Sequence, residues 1–349
     1  MEIEVVDLFC GVGGLTRGLS NIGLNVIAGF DNDVSCKYAY EHNNDALFHL
    51  ADIRNIKGCD IKKLYHKDSL KILVGCAPCQ PFSQLRSKMG KENLKDEKYN
   101  LLNEFGRLIS ETKPTIISME NVPQLIDTNI FKKFLKLISR LGYSYDARVI
   151  KCSEYGVSQG RRRLVLIGSL LGPIEVIKPT HIDKPPCIRE FIEGLPPIEA
   201  GGKDETDPLH QAAGLSEINL KRIRASVPGG TWKDWPNDLR CACHKKESGK
   251  TYPSVYGRMS WDQIGPTITT QFYNYGTGRY GHPDQDRALS LREGALLQTF
   301  PPDYDFIDPD TPFSLRTIGR HIGNAVPVRI GEVIGKSIIV HLKKYGFEV

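Results

Sequence analysis

Glu4-Val5-Val6-Asp7-Leu8-Phe9-Cys10-Gly11-Val12-Gly13-Gly14, near the amino end, is an apolar run that stops in a glycine-rich turn. Glu4 to Phe9 predicts a strand, and the glycines predict a tight strand-to-helix turn whose backbone can approach a ligand closely. The turn departs from the dinucleotide fingerprint, because its third glycine follows the second immediately instead of three residues later. No lysine follows as in a P-loop, which disfavours a nucleotide held by its phosphates. Alone, the stretch also suits a tight turn that binds nothing. Asp31 closes a second apolar run about 20 residues after the first glycine, where an acidic side chain can hold ribose hydroxyls. Asp52 follows a third short apolar run and can accept a hydrogen bond from an adenine amino group. Three such groups at strand ends predict an adenosine-containing cofactor.

Working outward, further strands are expected at Asn25–Phe30, Ile72–Gly75, Thr115–Glu120 and Ala147–Lys151, with another apolar run at Leu164–Ile167. Between them, Leu101–Ile109 and Ile130–Leu141 carry apolar residues at three- and four-residue spacing, the mark of amphipathic helices. Lys113-Pro114 fits the end of the first. This alternation predicts an α/β fold, a mostly parallel sheet with helices on both faces. The texture changes near Gly172. From there to about Asp286 the chain is rich in Pro, Gly and aromatic residues, which reads as a second domain of short strands and loops. Ile330, Val333, Ile334, Ile338 and Leu342 then form one face of a closing helix that would pack back on the first domain.

The bulk properties exclude several classes. With 349 residues, 40% apolar and 25% charged, the chain can bury a full core and has the composition of an ordinary globular protein. No apolar run approaches the ~18–20 residues that cross a bilayer, so no membrane partner is expected. The amino end lacks the pattern of a secretory signal, and nine scattered cysteines fit reduced thiols, so a cytoplasmic location is expected. The net charge is +5, and the stretch from Lys221 to Lys250 alone carries eight basic residues against three acidic ones. With Trp232, Trp235, Tyr252 and Tyr256 around it, that stretch suits a polyanion, although a solvated surface fits the charge count equally well.

Three further motifs carry chemistry. Gly75-Cys76-Ala77-Pro78-Cys79-Gln80-Pro81-Phe82-Ser83 follows a predicted strand. Cys76 and Cys79 have the spacing of a redox pair, half a zinc site, or a single nucleophile, Cys79, at a strand end; spacing does not separate these. Ser118-Met119-Glu120-Asn121-Val122-Pro123 puts a carboxyl group at the same sheet edge, where it would otherwise merely cap a turn. Gln159-Gly160-Arg161-Arg162-Arg163 precedes an apolar run, and strand alternation sends Arg161 and Arg163 to one face. Cys241-Ala242-Cys243-His244 has an atypical spacing and lacks a second pair, so no metal is expected.

In this order the motifs resemble the cytosine-5 DNA methyltransferase family, of the bacterial restriction-modification type, over nearly the whole chain. Asp7–Gly14 is similar to the family's cofactor loop, Pro78-Cys79-Gln80 to its nucleophile motif and Glu120-Asn121-Val122 to its acid motif. Gln159–Arg163 resembles its Gln-x-Arg-x-Arg motif. Arg292-Glu293 through Gln298-Thr299-Phe300-Pro301 and Gly323-Asn324-Ala325-Val326-Pro327 resemble its two late motifs. Asp31 stands where many relatives carry Glu, and Asn32 where some place an aromatic residue against the adenine.

The resemblance implies an S-adenosylmethionine-dependent methyltransferase sheet, Rossmann-like, with one antiparallel strand, and a smaller loop- and strand-rich target-recognition domain. The expected division is 1–172 and 311–349 for the catalytic domain and 173–310 for recognition. S-adenosylmethionine would meet Asp7, Phe9, Gly11, Gly13, Gly14, Leu15, Asp31, Asn32, Asp52, Ile53, Pro78, Asn324 and Val326. Cys79, Glu120, Asn121, Arg161 and Arg163 would carry catalysis on a flipped-out cytosine, with Gln84 to Lys98 a mobile lid. Gln80, Ser83, Gln159, Arg258, Thr267, Thr269 and Arg279 would contact duplex DNA. Some members methylate tRNA, but their Cys-Phe-Thr element is missing here, and intact Cys79, Glu120 and Arg163 oppose a silent binding module. A monomer is expected, with a cognate restriction endonuclease acting on the same site without forming a stable complex.

Overall fold

The computed structural model describes residues 2–78, 100–246, 249 and 253–348. Contacts divide the chain into two compact units, Met1–Tyr155 with Arg162–Thr180 and Val326–Val349, and Gly156–Arg161 with His181–Ala325. The first unit holds strands β1 (Ile3–Leu8), β2 (Asn25–Asp31), β3 (Leu47–Leu50), β4 (Leu70–Gly75), β5 (Ile116–Asn121), β6 (Ser144–Lys151) and β7 (Arg162–Ser169). They form one seven-stranded sheet in the order β3-β2-β1-β4-β5-β7-β6. All pairings are parallel except those of β7, which runs antiparallel to both β5 and β6. Helices α1 (Gly14–Ser20), α2 (Lys37–Asn43), α3 (Gly58–Lys62), α4 (Asn100–Thr112) and α5 (Asn129–Arg140) lie in this unit. Helices α6 (Arg189–Ile192), α7 (Glu217–Arg224), α8 (Leu291–Leu297) and α9 (Leu315–Asn324) lie in the second, and α10 (Val328–Lys344) returns to the first.

Alternation along the strands sorts the sheet into two faces. Val6, Leu8, Leu73, Ile117, Met119, Leu164 and Leu166 pack against Phe105, Leu108 and Ile109 of α4 and Phe131, Phe134 and Ile138 of α5. The residues between them, among them Asp7, Glu120 and Arg163, therefore belong to the other face. Helix α1 covers that face, where the Thr16 hydroxyl donates to Asp7 Oδ2 at 2.8 Å. Helix α10 lies directly on α1, as the apolar stripe from Ile330 to Leu342 predicts. Helices thus occupy both faces.

Two element ends differ from the periodicity in instructive ways. Strand β6 begins at Ser144 and not Ala147, because Ser144 pairs with Ser169 at the sheet edge, where exposed polar residues cost little. Helix α4 runs on to Thr112 and stops where Lys113 takes φ 49° ahead of Pro114.

The second unit departs further. Short strands are expected there, yet among its described residues the only β pairings are isolated bridges, such as Pro228 with Arg258 and Arg258 with Gly281. Prolines such as Pro228, Pro266 and Pro283 lack the N–H a ladder needs, which breaks the pairing into single contacts. Side chains hold this unit instead. Ile223, Trp232, Trp235, Tyr275 and Ala288 form its core, and the buried Arg287 guanidinium pairs with the buried Glu293 carboxylate at 2.7 and 2.8 Å.

Helices α1 and α10 touch backbone to backbone at Gly18, where a Cβ would lie 2.2 Å from the Val328 carbonyl oxygen and 2.7 Å from Gly331 Cα. Neither helix can yield locally, so Gly18→Ala is expected to destabilise the protein by about 1–3 kcal/mol. Urea unfolding of the variant beside wild type measures this; an unchanged midpoint would show that the two helices can slide apart at no cost.

Candidate active site

The parallel register brings the chemistry-bearing loops to one edge of the first unit's sheet. Leu8 of β1 stands beside Gly75 of β4 and Phe30 of β2, and Asp31 beside Leu50 of β3. The hydrogen bonds continue past the strand ends, from Cys10 N to Phe30 O at 3.1 Å, Cys76 N to Leu8 O at 3.2 Å and Ala51 N to Asp31 O at 2.9 Å. The chain reverses its winding between β1 and β4, the kind of switch point at which open α/β sheets bind ligands beside the carboxyl ends of their strands.

The glycine loop forms one wall. Phe9, Gly11 and Gly13 take φ of 61°, 53° and 87°. For Phe9 this conformation is strained, which marks the loop as constrained by more than packing. Among the described residues nothing lies within 4 Å of a Cβ placed at Gly11. Asp31 ties the loop down by accepting from Gly11 N and Asp33 N at 2.9 Å each. Asp7 lies beneath, fully buried, with Oδ2 bound by Thr16 and Oδ1 lacking a hydrogen-bond partner among the described residues. Burial first, and then the nearby Asp31 charge, raise the Asp7 carboxyl to about 7; burial likewise raises Asp31. Thr16 was not anticipated from the sequence. Its signal is a hydroxyl in the first turn of the helix that follows the glycines.

The wall at β5 and β7 holds an ion pair. Glu120 stands opposite Val165, and Arg163 lies two residues away on the same face of β7, the diagonal position from which a long side chain can reach across. Arg163 Nε lies 2.8 Å from Glu120 Oε1. The contact lacks hydrogen-bond alignment, so buried Oε1 has no hydrogen-bond donor among the described residues. Asn121 donates to the Ala77 carbonyl at 3.0 Å and accepts from Val122 N at 2.9 Å, tying the segment before Cys79 to the end of β5. Cys79, Gln80, Ser83 and the expected lid Gln84 to Lys98 lie outside the described residues. Cys76 is described, and burial, with the Glu120 and Asp7 carboxylates, pushes its thiol well above the ordinary range. A thiol so disfavoured as thiolate is a poor partner for redox exchange.

Other predicted residues stand as follows. Leu15 and Ile53 are buried, Asn32 and Pro78 exposed. Asp52 accepts from Arg54 with both oxygens, at 2.6–3.0 Å. Asn324, exposed, ends α9 in the second unit, whereas Val326, buried, belongs to the first. Arg161, unlike Arg163, belongs to the second unit and donates to the Ile268 and Ala325 carbonyls. Gln159 and Arg258 were expected at DNA, but both are buried and hydrogen-bonded within the second unit. Gln159 binds Leu297 O, Gln298 Oε1 and Ile268 N; Arg258 binds Pro283 O, Ile223 O and Asp286. These bonds position the unit's own loops. Thr267 and Arg279 are partly exposed and Thr269 exposed, with Tyr280 hydroxyl bonded to Thr267 O at 2.8 Å and 3.0 Å from the Thr269 hydroxyl.

The sequence profile of the C-5 cytosine-specific DNA methylase family matches residues 3–340. The chain belongs to this family. It is 52% identical to the type II methylase M.HgiDII of Herpetosiphon aurantiacus, over 96% of this chain and 94% of that protein. It is 30% identical to the type II methyltransferase M.PspPI of Psychrobacter sp. (strain TA137), over 96% of this chain and 79% of that protein. The structure of the Entamoeba histolytica methyltransferase EhMeth shares the fold, with a TM-score of 0.69 at 16% identity, covering 98% of this chain and 99% of that one. The protein is therefore a DNA (cytosine-5) methyltransferase, and S-adenosylmethionine is the methyl donor its family implies. The described residues fit that donor: among them there is open space at Gly11, an acidic side chain at the end of β2 with lone pairs to spare, and an unpartnered oxygen on Asp7. Among the described residues no helix of this methylase is long and apolar enough to cross a membrane.

The raised Asp7 carboxyl carries a pH signature. Its folded form holds a proton that the unfolded chain releases near 4, so stability falls as pH rises from about 4 to about 7 and levels off above. Asp7→Asn should flatten this slope, removing about 2–4 kcal/mol of pH dependence. Urea unfolding of the cofactor-free protein at pH 4.5 and 8, for both forms, measures it; equal slopes would mean that Asp7 ionises without cost.

Proposed function

We propose that this methylase transfers a methyl group from S-adenosylmethionine to carbon 5 of a cytosine flipped out of a specific duplex DNA sequence, through a covalent Cys79 adduct at carbon 6. The observation that carries this reading is the Glu120–Arg163 pair, whose buried Oε1 lacks a hydrogen-bond donor among the described residues, beside an Asn121 that tethers the backbone leading to Cys79. A carboxyl group and a guanidinium so placed suit a ring that presents a nitrogen, an amino group and a carbonyl oxygen.

Carbon 5 of cytosine is a weak nucleophile, and the base must leave the stack at a cost of a few kcal/mol. The Cys79 thiolate adds to carbon 6 while Glu120 gives its proton to ring nitrogen 3, which leaves carbon 5 as an enamine carbon able to take up a methyl group. Arg163 holds the ring carbonyl oxygen and favours the thiolate. Asp7, Phe9, Gly11, Gly13, Gly14, Leu15, Asp31, Asn32, Asp52, Ile53, Pro78, Asn324 and Val326 would hold S-adenosylmethionine, which would supply the methyl group as a sulfonium electrophile. Water then takes the carbon 5 proton, the carbon–sulfur bond breaks to return the thiolate, and nitrogen 3 returns its proton to Glu120. Asn121 and Arg161 act as positioning residues.

Duplex recognition is assigned to the second unit, with Thr267, Thr269 and Arg279 as its candidate contacts beside Gln80 and Ser83. Similarity to type II methylases supports a modification role opposite a restriction endonuclease of the same specificity; that the enzyme works as a cytoplasmic monomer is part of the same proposal.

Wild type should move label from radiolabelled S-adenosylmethionine to unmethylated duplex DNA, and Cys79→Ser should reduce transfer to background. Glu120→Gln should lower kcat by about 10²–10⁴-fold while still binding cofactor. Transfer by Cys79→Ser at the wild-type rate would sink the covalent mechanism; label appearing in tRNA and in no duplex DNA would replace the substrate.

A further inference from the structure

Cys241, Cys243 and His244 lie in the second unit, outside everything used above. A hydrogen bond from His244 N to Cys241 O, 2.9 Å, closes a short 3₁₀ turn over Ala242–Lys245. The turn turns a bare sequence neighbourhood into a cluster. One ligand atom from each residue, the two sulfurs and a ring nitrogen, lies within 4.8 Å of the other two. Around a tetrahedral zinc ion, bonds of about 2.3 Å to sulfur and 2.0–2.1 Å to nitrogen hold donors roughly 3.5–3.9 Å apart, so only a small inward rotation of the side chains is needed.

The histidine is built as a ligand is built. It is 5% exposed, and its Nδ1 has no hydrogen-bond partner among the described residues. Its ring stacks on Trp232 at 4.3 Å and 16°, and meets Tyr256 edge-on at 5.8 Å. Those rings fix its orientation and keep water from one side, the arrangement that outer residues give to a metal-bound imidazole. A buried polar nitrogen without a partner destabilises a fold, so an unused one asks for a ligand. Arg222 and Arg240 lie near the imidazole. Those cations would repel a bare cation, but two thiolates and Zn²⁺ sum to zero charge. Cys243 is exposed and Cys241 partly so, which gives the ion a path in.

We propose that Cys241, Cys243 and His244 bind one zinc ion, its fourth position taken by water. Two thiolates and an imidazole select zinc over the hard cations magnesium and calcium. The ion ties residues 241–244 to the aromatic core of the second unit. Sequence spacing argued against a metal because a second Cys pair is missing; the turn supplies a three-donor set without one.

The test uses the full-length protein, freed of loosely held metal by dialysis. Wild type should retain about one zinc per chain by mass spectrometry of the metal, and Cys59→Ser, which removes an exposed thiol elsewhere, should retain the same. Cys243→Ser should lose at least tenfold in occupancy, and since Cys243 is exposed the variant should still fold, which its melting curve checks. Cobalt loaded in place of zinc should give sulfur-to-metal and tetrahedral ligand-field absorption in wild type and Cys59→Ser but not in Cys243→Ser. Zinc absent from wild type, zinc equal in wild type and Cys243→Ser, or a Cys241–Cys243 disulfide in its place would each overturn the site.

Discussion

Everything in the first unit hangs on the pairing of β1 with β4. Their register holds without a break from Ile3 beside Leu70 to Leu8 beside Gly75. Because a one-residue slip would turn every side chain to the opposite face, this pairing decides that Asp7 faces α1 while Leu8 faces the α4–α5 core. It also sets the glycine loop and the Cys76–Pro78 segment at the same height. The chain winds one way from β1 to β3 and the other way from β4, and such a reversal is where open α/β sheets bind their ligands.

The antiparallel strand β7 is the second determinant. A parallel strand beside β5 would need a crossover and would meet it with slanted hydrogen bonds. The antiparallel ladder puts Val165 opposite Glu120, and so sets Arg163 diagonally across from the carboxylate. The ion pair follows from the ladder, and the buried oxygen it leaves without a hydrogen bond among the described residues is a cost that a folded chain ordinarily avoids. Asp7, with its carboxyl raised to about 7, is a second uncompensated group at the same sheet edge. Such costs persist where the surrounding structure over-determines them, and sites that bind or react are where they collect.

The two units are held by different means. The first is a sheet with helices on both faces, its core continuous and apolar. Among its described residues the second replaces ladders with side chains: a buried Arg287–Glu293 pair, a core of two tryptophans and Tyr275, and glutamines such as Gln159 that satisfy loop carbonyls. Arg258 illustrates the consequence. Expected as a DNA contact, its buried guanidinium instead donates to the Pro283 and Ile223 carbonyls and to Asp286.

The sequence alone determined the order of strands and helices, because apolar alternation of period two and spacing of three and four residues are local properties. The run from Glu4 to Gly14, the stripes of α4, α5 and α10 and the loop-rich second half are all legible in it, as are the motifs that carry the family resemblance. Tertiary structure decided what local pattern does not contain. Arg161 and Arg163 have the same parity, but the chain divides between them, so one meets Glu120 and the other binds Ile268 and Ala325 carbonyls. Thr16 became the partner of Asp7 only when α1 folded over β1, and Cys241, Cys243 and His244 became neighbours only when a turn closed. Each is a contact between groups whose distance is set by packing, and packing is a property of the whole fold.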